Sequence, residues 1–160
     1  MMKNYITTSR KPGRRVRTFA KDIAFLFNAE YITRGKTSIS DLIANARYNG
    51  KRFVLIVSEK DGNPKQLLVL EVNDKTWEWK EPYLLKVLAT RSELYNAKNV
   101  RINDFKLETK NRMLLDLLGL LDVEENQDSE CVIRDVNKGI SIFYNNREIG
   151  PVFDISCVKG

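Results

Sequence analysis

The stretch ITTSRKPGRRVRTFAKD, residues 6–22, starts as a buried strand, turns through Pro12 and Gly13, and continues as an amphipathic helix. At about 100° per residue, Val16, Phe19, Ala20, Ile23, Leu26 and Phe27 gather on one side, which faces a core. Arg14, Arg17 and Lys21 fall on the other side, with Phe25 beside them. A strand that hands over to a helix through a short loop is the opening of an α/β sheet. The same stretch places Arg10, Lys11, Arg14, Arg15 and Arg17 almost side by side, which is costly through self-repulsion unless an anion sits there.

The rest of the chain extends the pattern. EYIT is a second short strand, and Ser38 with Asp41 resembles a capping box ahead of Ile39, Leu42, Ile43 and Ala46, a helix that ends at Gly50. RFVLIVS reads as a fully buried central strand, and EKDGNPK as the turn into QLLVLEV, an antiparallel hairpin. TWEWKE alternates aromatic and charged residues, YLLKVLAT is strand-like, and 91–110 is ambiguous. Leu114, Leu117, Leu118 and Leu121 make one helix stripe. CVIRDV, GISIFYNN and EIGPVFDISCV then close the chain as strands, with YNNRE a turn between the last two. The expected class is α/β, a mixed sheet with flanking helices, in one domain covering 1–160 or in two small halves that share a core.

Charge is distributed unevenly. Residues 1–36 hold nine Lys/Arg against Asp22 and Glu30, a net of +7, while residues 37–160 sum to −1. The phosphate-rich reading assigns Ser9, Arg10, Lys11, Arg14, Arg15, Arg17, Lys21, Arg34 and Lys36 to one nucleic-acid surface. Arginine suits phosphate because its planar fork engages two oxygens at once. The amino end of the helix adds partial positive charge and free N–H groups, a ready anion site. Phe25 either stacks on a base or packs internally. RNA fits better than duplex DNA, because no helix-turn-helix, zinc finger or basic zipper is present to enter a major groove.

Other chemistry finds little support. ITRGKTS, residues 32–38, ends like a phosphate-binding P-loop, but the glycine needed five residues before Gly35 is Glu30. Asp61 or Asp74 with Glu78 and Lys80 has the spacing of a Mg²⁺-dependent nuclease trio, and a two-sided charged strand has it equally. The chain has no histidine, so the commonest general base and the usual triads are missing. Cys131 and Cys157 lack metal-ligand spacing and read as buried small hydrophobes. No catalytic residue, metal or cofactor is expected, and no small-molecule substrate. MMKNYITTS has no secretory core and the apolar runs are too short to span a bilayer, so the expectation is a cytoplasmic protein with no membrane partner.

Thr8, Ser9, Arg10 and Pro12 in the first turn, Arg17, Phe19 and Lys21 on the helix, and Arg34-Gly35 in the next loop resemble the opening of Brix-domain proteins. REIGPVFDIS resembles that family's closing strand. The mid-chain Gly-Pro-Thr stretch of many eukaryotic members is missing here. The short chain looks like the archaeal, single-domain form. The resemblance implies a non-enzymatic ribosome-biogenesis factor that binds rRNA or pre-rRNA, with ribosomal or assembly proteins as further partners. It implies two half-domains, near 1–78 and 79–160, each similar to the anticodon-binding domain of class IIa aminoacyl-tRNA synthetases. That likeness also permits a stand-alone tRNA-binding protein.

Overall fold

The run Phe53–Val57 is buried residue after residue, because both of its faces are covered. It forms most of β3 (Phe53–Lys60), which lies parallel to β1 (Asn4–Thr8), and β1 in turn lies parallel to β2 (Ala29–Tyr31). The structure, a computed structural model, describes residues 2–95 and 100–158. Residues 96–99, inside the stretch whose sequence is ambiguous, lie outside them.

Helix α1 (Arg14–Ile23) joins β1 to β2 and buries Val16, Phe19, Ala20 and Ile23 with Phe53, Leu55 and Val57 on one face of the sheet. A 3-10 turn, Ala24–Phe27, extends it and ends where Asn28 takes a left-handed conformation at φ 50°. Helix α2 (Ile39–Tyr48) joins β2 to β3 across the opposite face, over Tyr5, Val54 and Ile56. Its start is capped by Ser38, whose Oγ accepts from the Asp41 N–H at 3.1 Å.

From β3 onward most neighbours run antiparallel. β4 (Asn63–Val72) returns through Asp61 and Gly62, with φ 53° and 81°, the paired positive values of a tight hairpin. Beyond it come β5 (Trp77–Trp79), β6 (Tyr83–Ala89), the short helix α3 (Arg91–Leu94), β7 (Lys106–Glu108), α4 (Arg112–Leu120), β8 (Cys131–Val136), β9 (Gly139–Tyr144) and β10 (Arg147–Cys157). The sheet order is β2-β1-β3-β4-β6-β10-β9-β8-β7, with β5 attached to β4. Among the described residues this is one ten-stranded sheet of mixed direction, with helices on it, as the sequence indicates.

The α1 core continues beneath α4, where the expected stripe Leu114, Leu117, Leu118 and Leu121 is buried with Ile133, Ile142 and Phe153. Phe19 meets Phe153 edge to face at 5.2 Å, joining the two ends of the chain. Polar links reinforce this: Asp22 Oδ2 accepts from the Arg91 N–H at 2.8 Å, and Arg15 pairs with Glu93 at 3.0 Å. Desolvation raises the Asp22 carboxyl above its ordinary value, against the opposing pull of that Arg91 N–H. One expectation fails for the cysteines. Cys131 is buried and its thiol is pushed up to about 12 by desolvation, but Cys157 ends β10 in solvent, past the last residue that the core covers.

Candidate nucleic-acid interface

β1 is flanked by two parallel strands whose connections leave on opposite faces of the sheet, α1 on one and α2 on the other. The loops leaving the carboxyl ends of β1 and β2 therefore diverge. This is the switch point at which open α/β sheets form a binding crevice. The loops are residues 9–13 and 32–38, so the topology brings together the two basic segments that the sequence sets apart.

Arg34 organises this crevice rather than facing a ligand. It is only 7% exposed, its Nε donates to the Thr37 carbonyl at 2.6 Å, and its Nη1 donates to the Thr8 carbonyl at 3.0 Å. Burial, and next the nearby charge of Arg10, lower its pKa from the ordinary arginine value. The expectation of Arg34 as a phosphate contact is thus corrected: the guanidinium is spent on tying one loop to the other. Thr7 adds a second tie, its Oγ1 donating to the Ile32 carbonyl at 2.7 Å. Arg10 adds a third, through Nη2 to the Lys36 carbonyl at 3.2 Å, while its side chain stays exposed.

Arg15 is the second correction. Its guanidinium pairs with Glu93 and donates to Asn63 Oδ1 at 2.8 Å and the Val87 carbonyl at 3.3 Å, so it is a strut between α1 and the later strands. The start of α1 is the third. Its N-cap is Gly13, whose N–H donates to Glu59 Oε1 at 2.6 Å, so the chain's own carboxylate occupies the position read as a free anion site.

The remaining cations behave differently. Arg10, Lys11, Arg14, Arg17, Lys21 and Lys36 have no carboxylate within 4 Å among the described residues. Lys11 and Lys36 are exposed at the loop tips, and Arg14 is exposed at the first turn of α1. Arg17 donates to the Pro12 carbonyl at 2.8 Å and stays half-buried. Lys21 lies 5.2 Å from the Tyr31 ring centre. Ser9 follows β1, its N–H donating to the Val57 carbonyl at 3.0 Å, with its side chain half-exposed beside Arg10. Phe25 is not on the basic face: it packs edge to face against Phe105 at 6.0 Å.

Of the nuclease trio, Asp61 lies at the far end of β4 from β5, and the ten residues of β4 run roughly 30 Å; Lys80 pairs with neither Asp61 nor Asp74. Lys80 bridges Glu78 at 2.9 Å and Glu71 at 3.1 Å on the sheet surface, and its hydrogen bond holds the Glu78 carboxyl below the usual range. Among the described residues no three His, Cys, Asp or Glu side chains gather as metal ligands, and no helix is long and apolar enough to cross a membrane. The sequence does not reveal the roles of Glu59 and Thr7, whose partners lie 46 and 25 positions away along the chain.

No family model matches the chain. It is 49% identical over 73 residues to a probable Brix domain-containing ribosomal biogenesis protein of Archaeoglobus fulgidus, covering 46% of this chain and 44% of that one. With the same description, a Thermococcus kodakarensis protein is 40% identical over 73 residues, 45% of this chain and 35% of its own. The match thus spans less than half the length of these relatives. A Sulfurisphaera tokodaii protein, likewise described, is 27% identical over 157 residues, 91% of this chain and 87% of its own.

Among solved structures, a probable ribosomal biogenesis protein from Aeropyrum pernix K1 superposes with a TM-score of 0.71 at 18% identity, covering 100% of this chain and 98% of that one. Mil, an archaeal Imp4-like protein, gives 0.65 at 21% identity, covering 97% of each. The architecture is therefore the Imp4-like fold. The sequence matches, together with the opening and closing motifs, bear out the resemblance to archaeal Brix-domain ribosomal biogenesis proteins.

Proposed function

We propose that this chain is a non-enzymatic ribosome-biogenesis factor that holds rRNA or pre-rRNA at the crevice between loops 9–13 and 32–38 and along the outer side of α1. One observation carries the reading. Arg14 and Arg15 occupy the first turn of α1, which contains no acidic residue, so two cations sit at the positive end of the helix dipole. Arg15 is held by Glu93, but Arg14 has no carboxylate within 4 Å among the described residues, and five further cations in the same condition, Arg10, Lys11, Arg17, Lys21 and Lys36, lie around it. A polyanion resolves the conflict by supplying the missing charge. Phosphate contacts position such a partner without breaking bonds.

The curated relatives' descriptions as ribosomal biogenesis proteins support the assembly role. The half-domain arrangement, each half similar to an anticodon-binding domain and meeting near residues 75–82, is part of the proposal. It draws support from the recurring order of strand, helix, short parallel edge strand, helix, strand in β1–β3 and in β6–β8.

The test uses Lys11→Ala, Arg14→Ala and Lys36→Ala together, because none of these side chains holds a hydrogen bond within the described fold. If all six cations meet phosphates, log affinity should fall against log salt with a slope of roughly −4 to −5.5, and the triple variant should flatten it by roughly 2 to 3. Unchanged affinity and slope in a folded triple variant would refute the surface. Crosslinking and sequencing of RNA bound in cells identifies the partner: rRNA reads support the proposal, and tRNA reads replace it with a tRNA-binding role.

A further inference from the structure

Opposite the crevice lies a second surface that the proposed function does not use. Trp77 and Trp79, 47% and 45% exposed, stand on one side of β5 with rings 6.4 Å apart and nearly perpendicular. They share that side with Val72 and Leu70, their register partners on β4. Adjoining them is an open groove of about 640 Å³ lined by Arg47, Lys51, Arg52, Val72, Asp74 and Lys75. Four of these side chains are cationic and one is acidic.

The groove is a built feature. Arg47, on the last turn of α2, donates from Nε to the Asn73 carbonyl at 2.9 Å and from Nη2 to the Thr76 carbonyl at 3.0 Å. That pins the turn that delivers Trp77. Lys51 and Arg52 lie 3.6 Å from Glu30 and Glu71, respectively, whereas Lys75 has no carboxylate within 4 Å among the described residues. Tyr48, 89% exposed, follows Arg47 at the end of α2.

We propose that Trp77 and Trp79 stack unpaired RNA bases while Arg47 and Lys75 hold the adjoining phosphates. This rests on the RNA-binding reading above and adds a single-stranded site to it. Exposed aromatic rings on a sheet surface beside basic side chains are the arrangement by which single strands are bound without sequence readout, since every base offers a flat face. Arg47 and Lys75 have no carboxylate within 4 Å among the described residues, so charge complementarity favours a polyanion at this edge. The site lies at the amino ends of β1 and β3, and the crevice lies at their carboxyl ends. The eight residues of β3 separate the two by roughly 25 Å. One RNA reaching both would rest a structured part on the crevice and an unpaired flank on the tryptophans.

The two tryptophans are the only ones in the sequence, so intrinsic fluorescence reports this site directly. The full chain is titrated separately with single-stranded oligouridylate and with a blunt RNA duplex. Oligouridylate should quench the emission. Read by the anisotropy of dye-labelled RNA, since no tryptophan remains, Trp77→Ala with Trp79→Ala should weaken oligouridylate binding at least about tenfold and leave duplex binding and circular dichroism unchanged. The Trp77→Phe, Trp79→Phe pair should restore most of the affinity. The triple variant at Lys11, Arg14 and Lys36 should lose duplex affinity and keep the quenching. Duplex binding without any response to oligouridylate overturns this site and leaves the crevice reading standing. Failure of both RNAs to bind overturns both. A dimer in sedimentation that Trp77→Ala dissociates makes a second copy the occupant, and overturns the proposal as well.

Discussion

Strands β1–β3 and strands β8–β10 share one sheet and one core, yet only the first group is joined by helical crossovers. In the first group every connection is a crossover through a helix, one helix on each face, so β3 is buried on both sides and the loops that leave β1 and β2 diverge. In the second, β8, β9 and β10 form a meander closed by tight turns. β8 alternates accordingly, with Cys131 and Ile133 inward and Val132 and Arg134 outward. Asn145 and Asn146, with φ 51° and 65°, turn β9 into β10 without leaving a loop to hold a ligand. Parallel connection creates a place for a site, and antiparallel connection creates a wall.

Four substitutions test that contrast. The largest effect should come from Phe19→Ala, which removes a fully buried ring at the join between the two regions. A loss of about 3–5 kcal/mol in urea unfolding is expected. A loss confined to one of two resolved transitions would show that the regions do not share a core. Next, Arg34→Met should cost about 2–3 kcal/mol by taking the guanidinium donor from the buried Thr8 carbonyl and the part-buried Thr37 carbonyl. It should also loosen RNA binding, although it removes no exposed charge. Stability retained with affinity lost would make Arg34 a direct contact after all.

Gly139→Ala should cost about 1–3 kcal/mol, because a Cβ there stands 2.5 Å from the Phe153 carbonyl oxygen, a main-chain atom that cannot step aside. RNA affinity per folded molecule should be unchanged, and a parallel loss of binding would mean that the meander takes part. The smallest effect concerns Glu93. The Arg15 hydrogen bond, and next the Thr90 N–H, hold its carboxyl below the ordinary value of 4.5. The folded state then binds fewer protons than the unfolded state. Glu93 therefore contributes stability that is complete above the ordinary value and lost as pH falls through the folded one. For a pair this exposed the contribution is below about 1 kcal/mol. Glu93→Gln should remove that part of the acid-side decline in stability, and an identical pH profile would show that the Arg15 strut is idle.

Much of this architecture is legible in residue order because it is written locally. The apolar spacing of Val16, Phe19, Ala20 and Ile23, the unbroken run Phe53–Val57 and the Asp61-Gly62 turn each encode their own conformation within a few positions. The site is legible only as a set of cations. Which cations are spent inside the protein depends on distant partners: Arg15 finds Glu93 78 residues on, and Arg34 finds Thr8 26 residues back. Three-residue strands such as β7 escape for a related reason, since their pairing with β8 is set by the neighbour rather than by their own pattern.

Glu59 governs how an anion can approach the start of α1. With its carboxylate already seated against Gly13, a phosphate approaching along the axis of α1 meets repulsion at the one spot where the backbone would otherwise grip hardest. The visitor is deflected sideways, toward Lys11, Arg14 and Lys36. Such a tenant moves the open positive surface from the helix axis to its flanks.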